Sequence, residues 1–254
     1  MSSFLCVFSL ILILAPVAGN AQPLLWKSRG GDNTVYLLGS IHALTENDYP
    51  LPQAYEAAYQ DADKTIFEIN LTPEATLRLQ SLMFRLGSFE GDKTLKSVMG
   101  EDEFNRLNQE AMEHGFSLEM MNGHEPWLSM LIMASTLVVQ AGLNPENGVD
   151  MYFQDKAAKD GKEIGQLETP RQQLGFFDNL DMKYQILLLK ETIEEFDNAK
   201  PLFDKMLAAW REGDTKTLEK LMNDELHASP QIAEVLLYNR NKNWAEKIDE
   251  YFDD

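Results

Sequence analysis

A histidine closely follows the first predicted strand, in the segment Gly39-Ser40-Ile41-His42. Ligands of α/β proteins usually bind at the carboxyl ends of strands. Gly39 allows a sharp turn of the backbone there, and His42 is then presented from a short loop. A neutral imidazole at such a place is a good ligand for zinc, manganese or cobalt, or a general base. The alternative is an ordinary loop histidine, because a single Gly-x-x-His is common by chance.

Glu68 lies between large apolar residues in a second predicted strand, residues 65–69. A carboxylate in a central strand is costly to bury without a partner. If this strand lies beside the first, Glu68 and His42 meet at the same edge of the sheet. A histidine and a glutamate suit a divalent metal, with the carboxylate as a ligand or as the base that activates water. The alternative is an edge strand that points Glu68 into solvent.

Two further charged residues could serve such a site. Asp150 follows Gly148 at the start of a predicted helix, where we favour an N-cap role. A role behind the metal ligands, or facing the metal, is the alternative for Asp150. Arg240 could clamp a carboxylate or phosphate of a substrate with both arms of its guanidinium, with Asn241 in a structural role. A solvated helical charge is the alternative for Arg240.

A third predicted strand, residues 162–167, is followed by Glu168, Thr169 and Pro170. There we expect Glu168 or Thr169 to cap the helix that Pro170 opens. The chain contains no Gly-rich phosphate loop, no Gly-x-Ser-x-Gly elbow and no His-Glu-x-x-His zinc helix. These absences exclude the common nucleotide-binding, serine-hydrolase and zincin interpretations. The remaining histidines lack metal-ligand spacing with one another: His114, His124 and His227.

The elements that must position these side chains begin with a strand, a helix and a strand. Residues 34–38 are β-branched and aromatic between turn residues, residues 52–60 can form a short helix, and residues 65–69 form the next strand. This order usually gives parallel pairing of the two strands. The strand at 162–167 follows a helix predicted around residues 150–159.

The rest of the chain is mostly helical by its pattern. Pro126 opens the clearest helix, with apolar residues at helical spacing and Gly142 at its end. Residues 180–196 predict another helix. Asp214 can cap a further helix, and a Ser-Pro pair at 229–230 can open one more. With no repeat and no long linker, the sequence predicts a single α/β domain, in which many helices surround a small, partly parallel sheet.

The net charge of the chain indicates which kinds of molecule it is expected to bind. The chain has 254 residues and a formal net charge of -19. Such a surface repels nucleic acid and anionic lipid heads, so neither is an expected partner. High solubility is the simplest reason for this charge, and attraction of cations or basic peptides is the alternative.

The amino terminus has the pattern of a signal peptide. Residues 1–21 carry no charged side chain, residues 4–15 are apolar except for Ser9, and small residues precede Gln22. The apolar run is shorter than the about 20 residues of a membrane span, so we expect no stable span after cleavage. Cys6, the only cysteine, leaves with the signal. We expect a periplasmic or secreted protein, and the absence of disulfides favours a bacterial periplasm over an animal extracellular space.

These features together resemble the TraB/GumN family, which shares a domain with the TIKI metalloproteases. The resemblance covers roughly residues 24–246, and its evidence is the order and spacing of short blocks. The blocks lie at 25–27, 35–42, 67–68, 126–127, 148–150, 167–169, 209–214 and 240–241, followed by Trp244.

The resemblance implies an α/β fold with a divalent-metal site. Family members of known activity are hydrolases that need manganese or cobalt and cleave peptides. The family pattern has two Gly-x-x-His motifs and a glutamate, which places a metal and its chemistry on His42 and Glu68. We therefore expect a periplasmic metal-dependent hydrolase of peptides or small molecules that uses manganese or cobalt, with zinc as a further candidate.

The second Gly-x-x-His motif has no match, since only His42 has a glycine three places before it. In the family that motif follows a strand that comes after the Arg-Asn and Trp segment. Residues 22–254 are thus expected to form a family domain whose last strand or strands are missing. The alternative function is a non-catalytic binding or interaction protein that keeps the fold and lacks half of the metal site.

Overall fold

The computed structural model describes residues 23–31, 33–226 and 229–252. The predicted signal peptide, Cys6 and His227 lie outside the described residues.

Four strands in the described ranges form two small sheets. The strands β1 (Leu25–Gly30) and β2 (Asn33–Leu38) pair antiparallel as a hairpin, whereas β3 (Lys64–Phe67) and β4 (Glu163–Gln166) pair parallel. Gly31 lies in the turn of the hairpin at φ +56°, a backbone conformation that glycine adopts without steric cost.

The predicted parallel pairing of the first two strands is therefore wrong. The segment before the first predicted strand is itself a strand, and a short turn lets β1 pair with β2 at a small cost in loop entropy. The partner of β3 is instead β4, which lies about 100 residues further along the chain. The parallel character of the sheet is confirmed, but for a different pair of strands.

Helices make up most of the described chain. Their bounds are α1 Gln53–Asp61, α2 Pro73–Leu86, α3 Leu95–Met99, α4 Glu101–Glu113, α5 Pro126–Gln140, α6 Val149–Asp160, α7 Pro170–Asp178, α8 Met182–Glu194, α9 Phe196–Glu212, α10 Thr215–Leu226, α11 Pro230–Ala233 and α12 Asn239–Glu250. A π-helical segment, Glu234–Tyr238, joins α11 to α12. Single 3-10 turns lie at Glu46–Asp48 and Pro145–Asn147.

The helix α5 forms the centre of the core, as its apolar spacing predicts. Trp127 and Met130 are fully buried, and Gly142 follows the helix at φ +85°. The helix α5 packs along α8. The single helix predicted over residues 180–196 is two helices, because α8 ends at Glu194 and α9 begins at Phe196.

Several predicted helix starts are confirmed. Thr169 caps α7, where its side chain accepts from the backbone of Gln172. The side chain of Asp214 accepts from the backbone N–H of Thr217 at 3.1 Å in the first turn of α10. The result is a single, mostly helical α/β domain. None of the helices in the described ranges combines the length and the apolar character needed to cross a membrane.

Candidate functional site

The loop that carries His42 is fixed at its start by close backbone packing. The N–H of Gly39 donates to the carbonyl of Leu24 at 2.7 Å, and its own carbonyl accepts from Trp210 Nε1 at 2.9 Å. A Cβ atom at position 39 would lie 2.7 Å from Leu24 Cβ. Gly39 is thus needed for close approach, and its predicted structural role rests on this packing.

The same loop is fixed at its far end by the neighbouring residue of α9. Arg211 Nε donates to Asp48 Oδ1 at 2.6 Å, and Asp48 also accepts from the backbone N–H of Thr45. The Asp48 side chain is almost fully buried. Trp210 and Arg211 therefore hold the loop from Gly39 to Asp48 at two points.

The amino terminus of α6 lies directly against His42. The N–H of Val149 donates to the carbonyl of Ile41 at 2.9 Å. A Cβ atom on Gly148 would lie 2.6 Å from the carbonyl oxygen of His42, so only glycine permits this approach. The contact brings the first turn of α6 within reach of the imidazole.

Asp150 uses this proximity to bind His42. Its Oδ1 lies 2.8 Å from His42 Nδ1, and its side chain is 16% exposed. The favoured N-cap role is wrong, since Gly148 is the N-cap and Asp150 sits in the first turn. The alternative, a carboxylate behind the histidine, agrees with this geometry, and it orients the imidazole so that Nε2 faces away from α6.

Glu68 meets that second nitrogen. It follows β3 immediately, and its Oε1 lies 3.6 Å from His42 Nε2. His42 and Glu68 thus come together as predicted, although β2 and β3 belong to different sheets. The alternative of a solvent-facing Glu68 is wrong, because its side chain is only 18% exposed.

The other oxygen of Glu68 is held by polar side chains. Arg240 Nη2 donates to Glu68 Oε2 at 3.3 Å, and Gln173 Nε2 lies 3.4 Å from the same atom. These contacts leave Glu68 Oε1 directed at His42.

Arg240 is buried, so the alternative of a solvated helical charge is wrong. It donates to both oxygens of Glu168, from Nε at 2.9 Å and from Nη2 at 2.8 Å. The guanidinium also lies over the rings of Phe176 and Trp244, with its carbon 5.0 Å and 5.1 Å from their centroids. The bidentate geometry agrees with the prediction, but the carboxylate belongs to the chain itself. A contact of Arg240 with substrate stays a prediction.

Asn241, the other predicted structural residue, follows Arg240 in α12. Its Oδ1 is buried without a hydrogen-bond partner among the residues that the structure describes. Its structural role stays a prediction.

The carboxylates around His42 set its protonation. The charge of Asp150 raises the pKa of His42 well above its ordinary value of 6.5, against the opposing effect of burial. Hydrogen bonds to Asp150 and Glu68 and the charge of Glu68 raise the pKa further. A divalent cation would have to displace a proton from a stabilised imidazolium.

Two side chains of the site, His42 and Glu68, offer donor atoms of the kind that bind a divalent cation. Ligand bonds of about 2.1 Å at tetrahedral angles place two donor atoms roughly 3.4 Å apart, close to the observed separation of His42 Nε2 and Glu68 Oε1. A cation at this place would lie near the carboxyl groups of Asp150 and Glu68, and beyond them near the guanidinium of Arg240. Within the described ranges, no group of three or more His, Cys, Asp or Glu side chains is arranged to hold a metal.

Sequence reasoning missed several residues of the site. The sequence pattern predicts at most a capping role for Glu168 and indicates no role for Gln173, Trp210 or Arg211. A signal existed for Glu168, because it follows β4 much as Glu68 follows β3. Its partners Arg240 and Trp244 lie far along the chain and could not be assigned from local pattern.

Comparisons with known proteins assign the chain to a family. It is similar to a protein named Uncharacterized protein YbaP from Escherichia coli (strain K12), at 22% identity over 218 residues, or 86% of this chain and 78% of YbaP. YbaP of Shigella flexneri matches with the same identity and coverage. No solved structure matches. The model of the TraB/PrgY/gumN family matches residues 24–254, from just before β1 to beyond α12, and so includes every residue of the site. The chain belongs to the TraB/PrgY/gumN family.

Proposed function

We propose that this protein is a metal-dependent hydrolase that acts on peptides. One observation carries the proposal: His42 Nε2 and Glu68 Oε1 converge at 3.6 Å while Asp150 occupies the other imidazole nitrogen. A histidine backed by a carboxylate is the usual arrangement of a metal-ligating imidazole. The segment 39–42 and Glu68 also resemble the metal-binding pattern of the family, and this resemblance supports the same assignment.

The chain's own residues have separate tasks in this proposal. Asp150 accepts a hydrogen bond from Nδ1–H of His42 and so leaves the lone pair of Nε2 for a ligand. Arg240 and Gln173 hold Oε2 of Glu68, so that Oε1 is free to bind a cation or to accept a proton from water. When bound, a divalent cation acts as a Lewis acid on a peptide carbonyl and lowers the pKa of water.

The donor set suits several metals. One imidazole nitrogen and one carboxylate oxygen are compatible with manganese, cobalt or zinc. We propose manganese or cobalt, because the resembling hydrolases need these ions. The peptide substrate rests on the same resemblance.

We also propose export to the periplasm or secretion, on the pattern of residues 1–21. Expression of the full chain should give a mature protein that begins at Gln22, as read by intact mass. A cell-associated protein that retains Met1 and its apolar run would contradict export.

Cleavage of a peptide library tests the activity. Chelator-treated protein should cleave peptides only after manganese or cobalt is added, with products identified by mass spectrometry. His42→Ala and Glu68→Ala should abolish this cleavage, whereas Glu163→Ala, at an exposed residue of β4, should retain it. A folded wild-type protein that shows no metal-stimulated turnover would refute the hydrolase and favour a binding protein.

A further inference from the structure

Glu168 is a buried carboxylate that accepts hydrogen bonds from Arg240 and Trp244. Its side chain is 6% exposed. Oε1 accepts from Arg240 Nε at 2.9 Å and from Trp244 Nε1 at 2.8 Å, and Oε2 accepts from Arg240 Nη2 at 2.8 Å. A buried carboxylate needs such partners to offset its lost hydration.

The parallel pairing of β3 and β4 places Glu168 beside Glu68. Beyond the strands, the N–H of Leu167 donates to the carbonyl of Phe67, and the N–H of Glu168 donates to the carbonyl of Glu68, each at 2.8 Å. The two glutamates therefore share a single guanidinium, that of Arg240.

The two carboxylates receive unequal shares of that guanidinium. Glu168 takes two short hydrogen bonds, while Glu68 takes one contact of 3.3 Å, at Oε2 alone. A guanidinium prefers a carboxylate that it can bind with two parallel hydrogen bonds. Without the charge of Glu168, Glu68 would be the nearest carboxylate able to offer that geometry, and both of its oxygens would turn to Arg240.

We infer that Glu168 is a positioning residue for Glu68: by occupying the fork of Arg240, it limits that arginine to one oxygen of Glu68 and leaves Oε1 facing His42. The inference rests on the proposed metal site for its functional meaning. The competition between the two glutamates for Arg240 is a structural statement that can be tested without metal.

The first test is the manganese affinity of Glu168→Gln, measured by isothermal titration calorimetry on chelator-treated protein. The amide keeps the shape and an acceptor for Trp244 but loses the charge. We expect a 10- to 100-fold weaker affinity, roughly the effect of losing a residue that orients a metal ligand. Glu163→Gln, at an exposed residue of the preceding strand β4, should bind as the wild type does.

Two further variants separate competition from general damage. If free Arg240 captures Glu68, then Arg240→Gln in the Glu168→Gln background should recover at least threefold of the lost affinity. Trp244→Phe removes one hydrogen bond from Glu168 but leaves the Arg240 fork in place, so its affinity should stay within threefold of wild type. A double variant no tighter than Glu168→Gln, or a Trp244→Phe variant equally weak, would overturn the inference.

Failure of the inference is distinguishable from failure of the metal site. If His42→Ala abolishes manganese binding and Glu168→Gln leaves it unchanged, the inference is wrong and the proposed function stands. A crystal structure of metal-free Glu168→Gln tests the same step even if the wild type binds no metal, and Glu168→Asp replaces it should the amide not fold. We expect Arg240 to bind both oxygens of Glu68 in the amide variant, or to approach Glu68 more closely in the aspartate variant. A guanidinium that keeps its present single contact would overturn the inference.

Discussion

His42 has a carboxylate near each ring nitrogen, Asp150 at Nδ1 and Glu68 at Nε2. The charge of Asp150 raises the pKa of His42 more than that of Glu68 does. Because that charge raises the pKa of His42, Asp150→Asn should lower this pKa towards 6.5. The measurement is a proton NMR titration of the His42 ring in metal-free protein. Asp155→Asn, at an exposed residue of the same helix, is the matched control, and an unchanged His42 pKa in Asp150→Asn would contradict the assignment.

The same interaction links stability to pH. A histidine with a raised folded pKa stabilises the fold fully below its unfolded pKa, here about 6.5, and this stabilisation is lost as pH rises through the folded pKa. The free energy of unfolding of the wild type should therefore exceed that of Asp150→Asn most at low pH. Urea unfolding of both proteins measures this difference in the free energy of unfolding. The titrations should cover roughly two pH units on either side of neutrality. A difference that grows with pH would have the wrong sign.

Gly148 is needed for the approach of α6 to His42. In Gly148→Ala the new Cβ would lie 2.6 Å from a backbone oxygen, so the helix must move away. We expect a loss of about 1–3 kcal/mol in the free energy of unfolding, measured by urea. Gly123→Ala has open space around the added Cβ and should be nearly neutral. Equal stability of both variants would show that the close approach is not required.

At the scale of elements, the loop between β2 and α1 depends on α9. Burial raises the pKa of Asp48, but hydrogen bonds from Arg211 and Thr45 outweigh this effect and lower it below 3.8. A lowered carboxyl pKa stabilises the fold above the unfolded value, and the stabilisation is lost as pH falls through the folded pKa. Asp48→Asn should thus destabilise at neutral pH by about 1–3 kcal/mol, with the difference shrinking in acid. Glu46→Gln, exposed in the same turn, should change little, and a difference for Asp48→Asn that persists undiminished in acid would contradict this prediction.

Trp210→Phe tests the other attachment of that loop. It removes the hydrogen bond to the carbonyl of Gly39 and keeps most of the buried ring. Amide hydrogen exchange should become faster in residues 39–48, while amides of β3 and β4 serve as the internal control. Equal acceleration in the strands would indicate general destabilisation instead.

The sequence pattern predicts those helices whose formation depends on neighbouring residues. The spacing of apolar residues from Trp127 to Val138, with Pro126 before them, predicts α5 nearly to the residue. It was insufficient where pairing depends on distant segments, so β1 was missed and β3 was assigned the wrong partner. The strand Leu25–Gly30 shows three consecutive exposed residues, a weak signal for a strand.

The site shows the same division. The approach of His42 and Glu68 could be predicted, because both follow predicted strands and a carboxylate between large apolar residues is costly to bury without a partner. The roles of Asp150 and Glu168 were misjudged, since capping is the commoner role of an acidic residue near the start of a helix. Contacts with residues about 70 to 110 positions away decide both cases.

At the scale of the whole molecule, two small sheets and a large helical core bring together residues from the loops after β2, β3 and β4 and from α6, α7 and α12. The net charge of -19 surrounds a site that itself has an excess of carboxylates. Both features favour a cationic ligand. We propose that this ligand includes a divalent metal held by His42 and Glu68.

Calorimetric titration of chelator-treated protein with manganese or cobalt tests that claim most directly. We predict saturable binding by the wild type, and an affinity at least tenfold weaker in His42→Ala and in Glu68→Ala, because each variant removes one of two donor atoms. Both variants should first be shown to unfold cooperatively, so that lost binding is not lost folding. Binding of equal affinity in the wild type and in both variants would contradict the account.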